Sequence, residues 1–382
     1  MEVPDLSLLV TYTLVFLSLY FQVFLLLTYI ESRKVIRKEE GRVPAYFPSV
    51  TIVVPCYNEE GTATETITSL LTLEYPKEKL SIIAVDDGST DKTWEALAQF
   101  NNHPQVKLLQ KENGGKHTAL NLALTHVRSD LFGCLDADSF VLPQALLRIV
   151  PYFENQKVMA VTPAIKINRV ESVVGKIQYV EYIFSIFVRK MLGMIDAIQV
   201  TPGPFSIFRR EVFEKLGGYR KAHNTEDMEM ALRLHKNHYT IVNSHEAIVL
   251  TNPPQTLHGL YKQRLRWTYG FLKNAIDYRE MFFRPKYGNL AMFTLPAAVI
   301  SIFSVLYYTG YIVWLLGSNM YQKAVEVNTV GFTPLQFNWQ LDLPWTWLFS
   351  NYQGTIILSL ILLCFSIFGI LLARKSFAKN YI

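Results

Sequence analysis

The sequence predicts an α/β domain with a mostly parallel sheet, tied to a membrane by helical spans. Three observations lead there. Apolar residues make up 50% of the 382, the mean hydropathy is +0.16, and the excess is gathered into three uncharged stretches. Between residues 49 and 135, short apolar runs alternate with helical segments, as in a sheet with helices on both faces. Two acidic motifs, Asp86-Asp87-Gly88 and Asp136-Ala137-Asp138, fall just past the ends of such runs, where ligands bind in open α/β sheets.

The first element is Leu8–Ile30, roughly 23 residues and long enough for a ~30 Å hydrocarbon core. It lacks a basic leader and a small-residue cleavage site, and Glu31-Ser32-Arg33-Lys34 follows it directly. A retained anchor over residues 1–31 therefore fits better than a signal peptide. A domain over 32–288 comes next. Strands are expected at Ser49–Pro55, Leu80–Val85, Val106–Leu109 and Leu131–Leu135, and helices at Glu60–Thr72, Asp91–Phe100 and Lys116–Val127. In Val173–Met194, Val173, Ile177, Val180, Phe184, Phe187 and Met191 recur three and four apart among charged residues. That pattern suits a helix in the membrane interface over about 172–194, or an ordinary amphipathic core helix. A second interface helix is expected over about 256–280. Residues 289–382 hold two further spans, about 290–316 and 355–373, joined by an external loop. Arg33, Lys34, Arg37 and Lys38 follow the first span, Arg284 and Lys286 precede the second, and Arg374 and Lys375 follow the third. Basic residues mark the inside, so the N-terminus is expected outside and the catalytic part and C-terminus in the cytoplasm of a cell-membrane protein.

The net charge of +5 is concentrated beside the spans and suits anionic headgroups. No basic stripe is interleaved with base-stacking aromatics, which argues against a nucleic-acid partner. Cys56, Cys134 and Cys364 show no metal-ligand spacing and read as small hydrophobes.

The chemistry-bearing residues suit transfer from a nucleoside diphosphate sugar. That reaction must neutralise the leaving diphosphate, deprotonate an acceptor hydroxyl and exclude water. In Asp136-Ala137-Asp138 the outer carboxylates point the same way if the chain is extended. Asp138 is expected to hold Mg2+ or Mn2+, with Asp136 beside it on the metal, ribose or diphosphate; an Asx-rich turn is the blander alternative. Lys116 follows Gly114-Gly115 at a helix start, where backbone N–H groups attract phosphate. Thr225-Glu226-Asp227 opens a helix: either Asp227 is a general base beside Glu226, or Asn224 and Asp227 form a capping arrangement. Gln263, Arg266 and Trp267 stand at i, i+3 and i+4 on one helix face, a combination of guanidinium fork and indole that suits phosphate and sugar.

In this order the motifs resemble the processive family-two glycosyltransferases: cellulose, hyaluronan, chitin-oligosaccharide and poly-N-acetylglucosamine synthases. The resemblance covers about Ser49–Trp267, and Gln-x-x-Arg-Trp with flanking spans is its most specific part. It implies a GT-A, Rossmann-like domain and an inverting transfer by direct displacement. It implies that Pro55, Tyr57, Glu59, Asp86, Asp87, Lys116, Asp136, Gln263 and Arg266 bind the nucleotide sugar, that Asp138 with Asp136 holds the metal, and that Asp227, with Glu226, is catalytic. Trp267 is implied to lie beneath the acceptor sugar, with Phe205 and Ser206 in a loop at the acceptor terminus; Pro202-Gly203-Pro204-Phe205-Ser206 departs there from the Cys-Gly-Ser of cellulose synthases. The segments around Glu226–Met230 and Lys262–Trp267 look most like the poly-N-acetylglucosamine branch, so the expected donor is UDP-N-acetylglucosamine and the expected acceptor a growing polysaccharide. A transferase adding one or a few sugars to a lipid is the alternative, and a non-catalytic membrane scaffold the third reading. Three spans are few for enclosing a polymer. Interface helices, a second copy in a homo-oligomer, or an accessory membrane protein would have to complete the passage.

Overall fold

A computed structural model describes residues 6–170, 172–330 and 353–377. The chain opens with α1 (Leu6–Glu39) and enters the sheet at β1 (Val50–Cys56). It continues through α2 (Ala63–Leu71), β2 (Leu80–Asp86), α3 (Thr93–Ala98), β3 (Val106–Gln110), α4 (Lys116–Leu124) and β4 (Leu131–Cys134). These are the expected strands and helices, with each helix shorter than its apolar pattern. β1 pairs in parallel with β2 and β4, and β2 with β3.

The next part holds four strands that alternation alone did not disclose. β5 (Ser139–Val141) leads into α5 (Ala145–Ile149). β6 (Val158–Ile167) leads into α6 (Val173–Met194). β7 (Ile207–Arg209) leads into α7 (Arg210–Leu216) and α8 (Glu226–Lys236). β8 (Thr240–Thr251) leads into α9 (Leu257–Asp277). Together they make an eight-stranded sheet of order β3-β2-β1-β4-β7-β6-β8-β5. β4–β7, β6–β7 and β5–β8 are antiparallel, while β6–β8 is parallel with two irregularities. Thus the sheet is mixed, with the parallel β1–β4 half carrying the turns where ligands are expected. All ten residues of β6 are buried. A strand covered on both faces shows no period-two pattern, which hid it in the sequence.

The core beneath the sheet joins Ile52, Val54, Ile67, Leu70, Ile82, Leu131, Leu146 and Phe153. Helix α6 divides along its length. Val173, Ile177 and Val180 are exposed, whereas Ile183, Ile186, Phe187 and Met191 are buried.

Three helices are long and apolar enough to cross a membrane, spanning Leu6–Glu39, Leu290–Gln322 and Ile357–Phe377. The second begins with a π-helical turn over Leu290–Thr294 before α10 (Leu295–Val330), and the third lies in α11 (Gln353–Phe377). Two compact units result. One comprises residues 25–295 with the end of α11; the other comprises residues 6–24, nearly all of α10 and most of α11. In the second unit, Tyr307 donates to the Ser7 carbonyl at 2.8 Å and Gln22 donates to Ser366 at 2.8 Å. The centre of the expected external loop and the tail beyond Phe377 lie outside the described residues.

Candidate active site

The parallel strands deliver two turns to one edge. After β1, the turn at Tyr57–Glu60 is laced to the turn after β2. The Asn58 N–H donates to Ser89 Oγ at 3.0 Å, the Glu59 N–H to Thr93 Oγ1 at 2.7 Å and the Thr90 N–H to Asn58 Oδ1 at 2.9 Å. This leaves Tyr57 on the surface, 48% exposed, beside Pro55 at the strand end. The Glu59 carboxylate accepts from Thr62 Oγ1 at 2.6 Å.

Asp86 and Asp87 are both buried, and each already has partners. Asp86 accepts from the Ser89 N–H at 3.1 Å and from Gln110 Nε2 at 3.0 Å. Asp87 accepts from Lys111 Nζ at 2.6 Å and from the Gly114 and Gly115 N–H groups at 3.2 and 2.8 Å. In this arrangement the pair shapes the turn. Asp87 draws in the Lys111–Gly115 segment that begins α4, and so fixes where Lys116 stands. Gly88 is required there: its φ is +72°, and a Cβ would lie 2.6 Å from the Asn113 nitrogen.

Lys116 is the hub. Its Nζ lies 2.5 Å from Asp136 Oδ1 and 3.4 Å from Glu226 Oε1. Burial opposes its charge, but the carboxylates of Asp136 and Glu226 outweigh it and hold the ammonium well above its usual range. Lys116 thereby joins the acidic motif after β4 to the acidic start of α8, with Asp136 and Glu226 90 residues apart in sequence. Gly203 closes over this pair, since a Cβ there would meet Lys116 Nζ at 2.5 Å and both Asp136 oxygens at 2.9 Å.

Asp138 is pushed up to about 6, first by burial and then by the neighbouring charge of Asp136. Its Oδ1 accepts from Ser139 Oγ at 3.0 Å. Two carboxylates that repel one another, with only one ion-paired, form a site that a divalent cation would relieve. Among the described residues no group of three or more His, Cys, Asp or Glu side chains has the geometry to hold a metal. Substrate oxygens and water would complete the shell of a cation held there.

Asp227 lies in the first turn of α8 and is also pushed up to about 6, by burial and by Glu226. Its Oδ1 accepts from the Met228 N–H at 2.9 Å, and its carbonyl accepts from the Thr201 N–H at 3.1 Å and Thr201 Oγ1 at 2.8 Å. The capping arrangement expected as an alternative does not form. Thr225 is the N-cap residue, and Asn224 stands at φ 62° in the turn before it. A correction concerns Phe205 and Ser206, expected at the acceptor. Both are fully buried; the Phe205 N–H donates to the Cys134 carbonyl at 2.7 Å and Ser206 Oγ to the Pro202 carbonyl at 2.6 Å. Side chains with no exposed surface anchor the loop that carries Thr201 and Gly203, and they offer nothing to an acceptor here.

Helix α9 is clasped to the start of α8. A Cβ on Gly270 would fall 2.3 Å from Thr225 Cγ2 and Oγ1. Asn274 Nδ2 donates to Thr225 Oγ1 at 2.8 Å, and Tyr278 OH donates to Glu229 at 2.6 Å. Gln263, Trp267, Gly270 and Asn274 form one stripe at spacings of four, three and four, so the stripe that seats on Thr225 continues into the Gln-x-x-Arg-Trp motif. Buried Gln263 Oε1 has no hydrogen-bond partner, while Arg266 and Trp267 are exposed. The guanidinium centre of Arg264 lies 4.5 Å from the Trp267 ring centroid, and the same group bonds Glu181 of α6 at 2.7 Å. Arg264 thus braces the tryptophan, a role that reading Arg266 alone did not reveal.

Arg189 of α6 was also missed. Burial pushes it down to about 10, against the opposing pull of Tyr182 and Asp227. Its signal was an arginine, next to Lys190, within the otherwise apolar second half of α6. Gly203 and Thr201 carried a weaker signal, as small residues around Pro202 and Pro204.

Residues 51–217 match the Glycosyl transferase family 2 sequence family. A poly-beta-1,6-N-acetyl-D-glucosamine synthase of Staphylococcus epidermidis is 28% identical over 315 residues, covering 81% of this chain and 72% of that protein. One from Staphylococcus aureus strain MSSA476 is 30% identical over 305 residues, covering 78% of this chain and 73% of that one. Among solved structures, a mannosyltransferase from Pyrobaculum calidifontis in complex with GDP-Man and Mn2+ superposes with a TM-score of 0.61 at 19% identity. That match covers 96% of this chain and 100% of the other, and it supports the fold. With sheet and relatives in agreement, the chain belongs to the family-two glycosyltransferases, as a membrane-associated hexosyltransferase homologous to the poly-β-1,6-N-acetyl-D-glucosamine synthases.

Proposed function

We propose that this enzyme transfers N-acetylglucosamine from UDP-N-acetylglucosamine to the end of a growing polysaccharide on the cytoplasmic face of the membrane, with coupled export. The observation that carries the reading is the Lys116 hub, which joins Asp136 to Glu226, the neighbour of Asp227. This supports a donor side and an acceptor side that share one charged cluster. The names of the staphylococcal relatives support the choice of sugar.

Asp138, with Asp136, would hold Mg2+ or Mn2+; the ion supplies charge neutralisation to the leaving diphosphate. Lys116 adds a fixed positive charge beside that position, and the first turn of α4 points backbone N–H groups toward it. Tyr57 and Glu59 border the base and nucleoside, on a rim shaped by Asp86 and Asp87. Gln263 and Arg266 face the diphosphate, and the Trp267 indole, braced by Arg264, takes the apolar face of the acceptor sugar. Asp227 accepts the proton of the acceptor hydroxyl as that oxygen bonds to the anomeric carbon. The bond to the diphosphate breaks in the same displacement, and UDP leaves with the electron pair. One displacement with one base inverts the anomeric centre. Glu226 keeps negative charge beside Asp227 and so raises its basicity.

The exposed apolar side chains of α6 and α9, among them Ile177, Leu257 and Leu265, suit helices lying against lipid. They also suit the competing acceptor, a membrane lipid. Purified enzyme in detergent, given excess UDP-N-acetylglucosamine and Mg2+ or Mn2+, separates the two by product mass. The expected result is a ladder or long polymer that chelator abolishes. A product that never exceeds one sugar on a lipid would overturn the polymerase reading, and full activity in chelator would remove the metal from it.

A further inference from the structure

A second cavity, of about 700 Å3, lies away from the Lys116 cluster, among the end of α1, the start of α5, the strand β8 and the end of α11. Four cationic side chains line it: Arg33, Arg37, Arg148 and Lys375. Arg33, Arg37 and Lys375 form no ion pair among the described residues. Arg148 gives its donors to the Arg42 carbonyl and Gln144 Oε1, both at 3.3 Å. Two carboxylates in the lining, Glu40 and Glu246, leave an excess of positive charge. Glu246 accepts the Gly41 N–H at 2.8 Å, and Glu40 lies 4.0 Å from His245.

His245 also lines the cavity; it is 5% exposed and its Nδ1 is buried without a hydrogen-bond partner. Burial and the charge of Lys190 push it down to about 3, so the ring is neutral at physiological pH. A buried polar atom without a partner in a cationic cavity points to a ligand that supplies one. The walls are amphipathic. Tyr29 OH meets Ser376 Oγ at 3.0 Å, and the Phe377 ring stands edge-on to His245 at 5.0 Å. Cations and apolar walls meet here just where the uncharged runs of α1 and α11 give way to Arg33 and Arg374.

We propose that this cavity holds the phosphate headgroup of an anionic phospholipid, the cations and His245 taking the phosphate and the aromatic wall lying beside the acyl chains. Position favours a lipid over a soluble phosphate ester, because the cavity is lined by the last residues of α1 and α11, two helices long and apolar enough to cross a membrane. On α1, Tyr29, Arg33, Ile36 and Arg37 share the face that lines the cavity, with Glu40 just past the helix end, while Lys34 and Lys38 lie round the helix from it. The two pairs of cations therefore distinguish a built site from a diffuse field.

The test is native mass spectrometry of the full chain extracted from bilayers holding equal amounts of phosphatidylglycerol and phosphatidylcholine. Wild type is expected to retain phosphatidylglycerol selectively. Arg37→Gln with Lys375→Gln should lower that retention roughly 30-fold, the combined effect of two interfacial cations. Lys34→Gln with Lys38→Gln removes the same charge and should change it less than about twofold. Equal losses in the two variants, or no selectivity in wild type, would overturn the proposal. Displacement of the lipid by excess glycerol 3-phosphate would also overturn it, by showing that phosphate alone is recognised. The readout is binding, so it is independent of turnover and of the sugar transferred.

Discussion

Asp227 combines burial, a like-charged neighbour and a backbone carbonyl pinned twice by Thr201. An elevated carboxylate is a better proton acceptor, so the variant Asp227→Asn, which keeps shape and the bond from Met228, should lose ~10²–10⁴ in kcat. Donor binding should persist, measured by UDP-sugar titration, because the base acts on the acceptor. The sign of the stability change separates this loss from misfolding. The folded-state value of about 6 exceeds the ordinary 3.8, so the native state binds the proton more tightly. That stability is fully present below about 4 and is lost as pH rises through about 6. Asn carries no such penalty, and Asp227→Asn should melt no lower than wild type at pH 7. In wild type, kcat/KM should fall as pH drops through about 6, where Asp227 gains its proton. A flat acid limb, or normal turnover by the variant, would reduce Asp227 to a helix residue.

At the scale of elements, the active site depends on how α9 seats on α8. Gly270→Ala should gain about 1 kcal/mol of helix propensity and meet an overpacking penalty of about 1–3 kcal/mol against Thr225. Net destabilisation should be small. The Gln-x-x-Arg-Trp stripe should nevertheless move off the start of α8, so kcat is expected to fall at least about tenfold with helical content unchanged. Thr225→Ala in the same chain removes the two closest atoms and should restore part of the loss; undiminished kcat in Gly270→Ala would show that this seating is not needed. Elements also show what was legible in the sequence. Strands β1 to β4, helix α6 and the acidic motifs stood out because a turn or a period marked each of them. Strand β6 did not, being buried on both faces along its whole length. Nor did the burial of Phe205 and Ser206, which depends on a left-handed residue at φ 62° and on β4 lying beside them. The partners of Lys116 were hidden for the same reason: contacts 20 and 110 residues away leave no local pattern.

At the scale of the whole molecule, the basic residues flanking all three spans support an orientation with the sheet domain in the cytoplasm. An impermeant thiol reagent applied to intact cells should label Asn328→Cys and leave Lys38→Cys untouched, in a chain whose Cys364 is replaced by serine. The reverse pattern would invert the topology. The last turn of α1 is itself part of the sheet-bearing unit. Its Glu39 carboxylate holds Lys190 Nζ at 2.5 Å, and that lysine is 2% exposed. A soluble fragment begun after the first span, at the point where hydropathy alone would cut, would strand an ammonium ion in the protein interior, and removing one partner of a buried pair costs about 3–5 kcal/mol. For anyone trimming this enzyme for crystallisation or engineering, the boundary is therefore set by one carboxylate: a version cut free of its anchor must retain Glu39 or replace Lys190 with a neutral side chain.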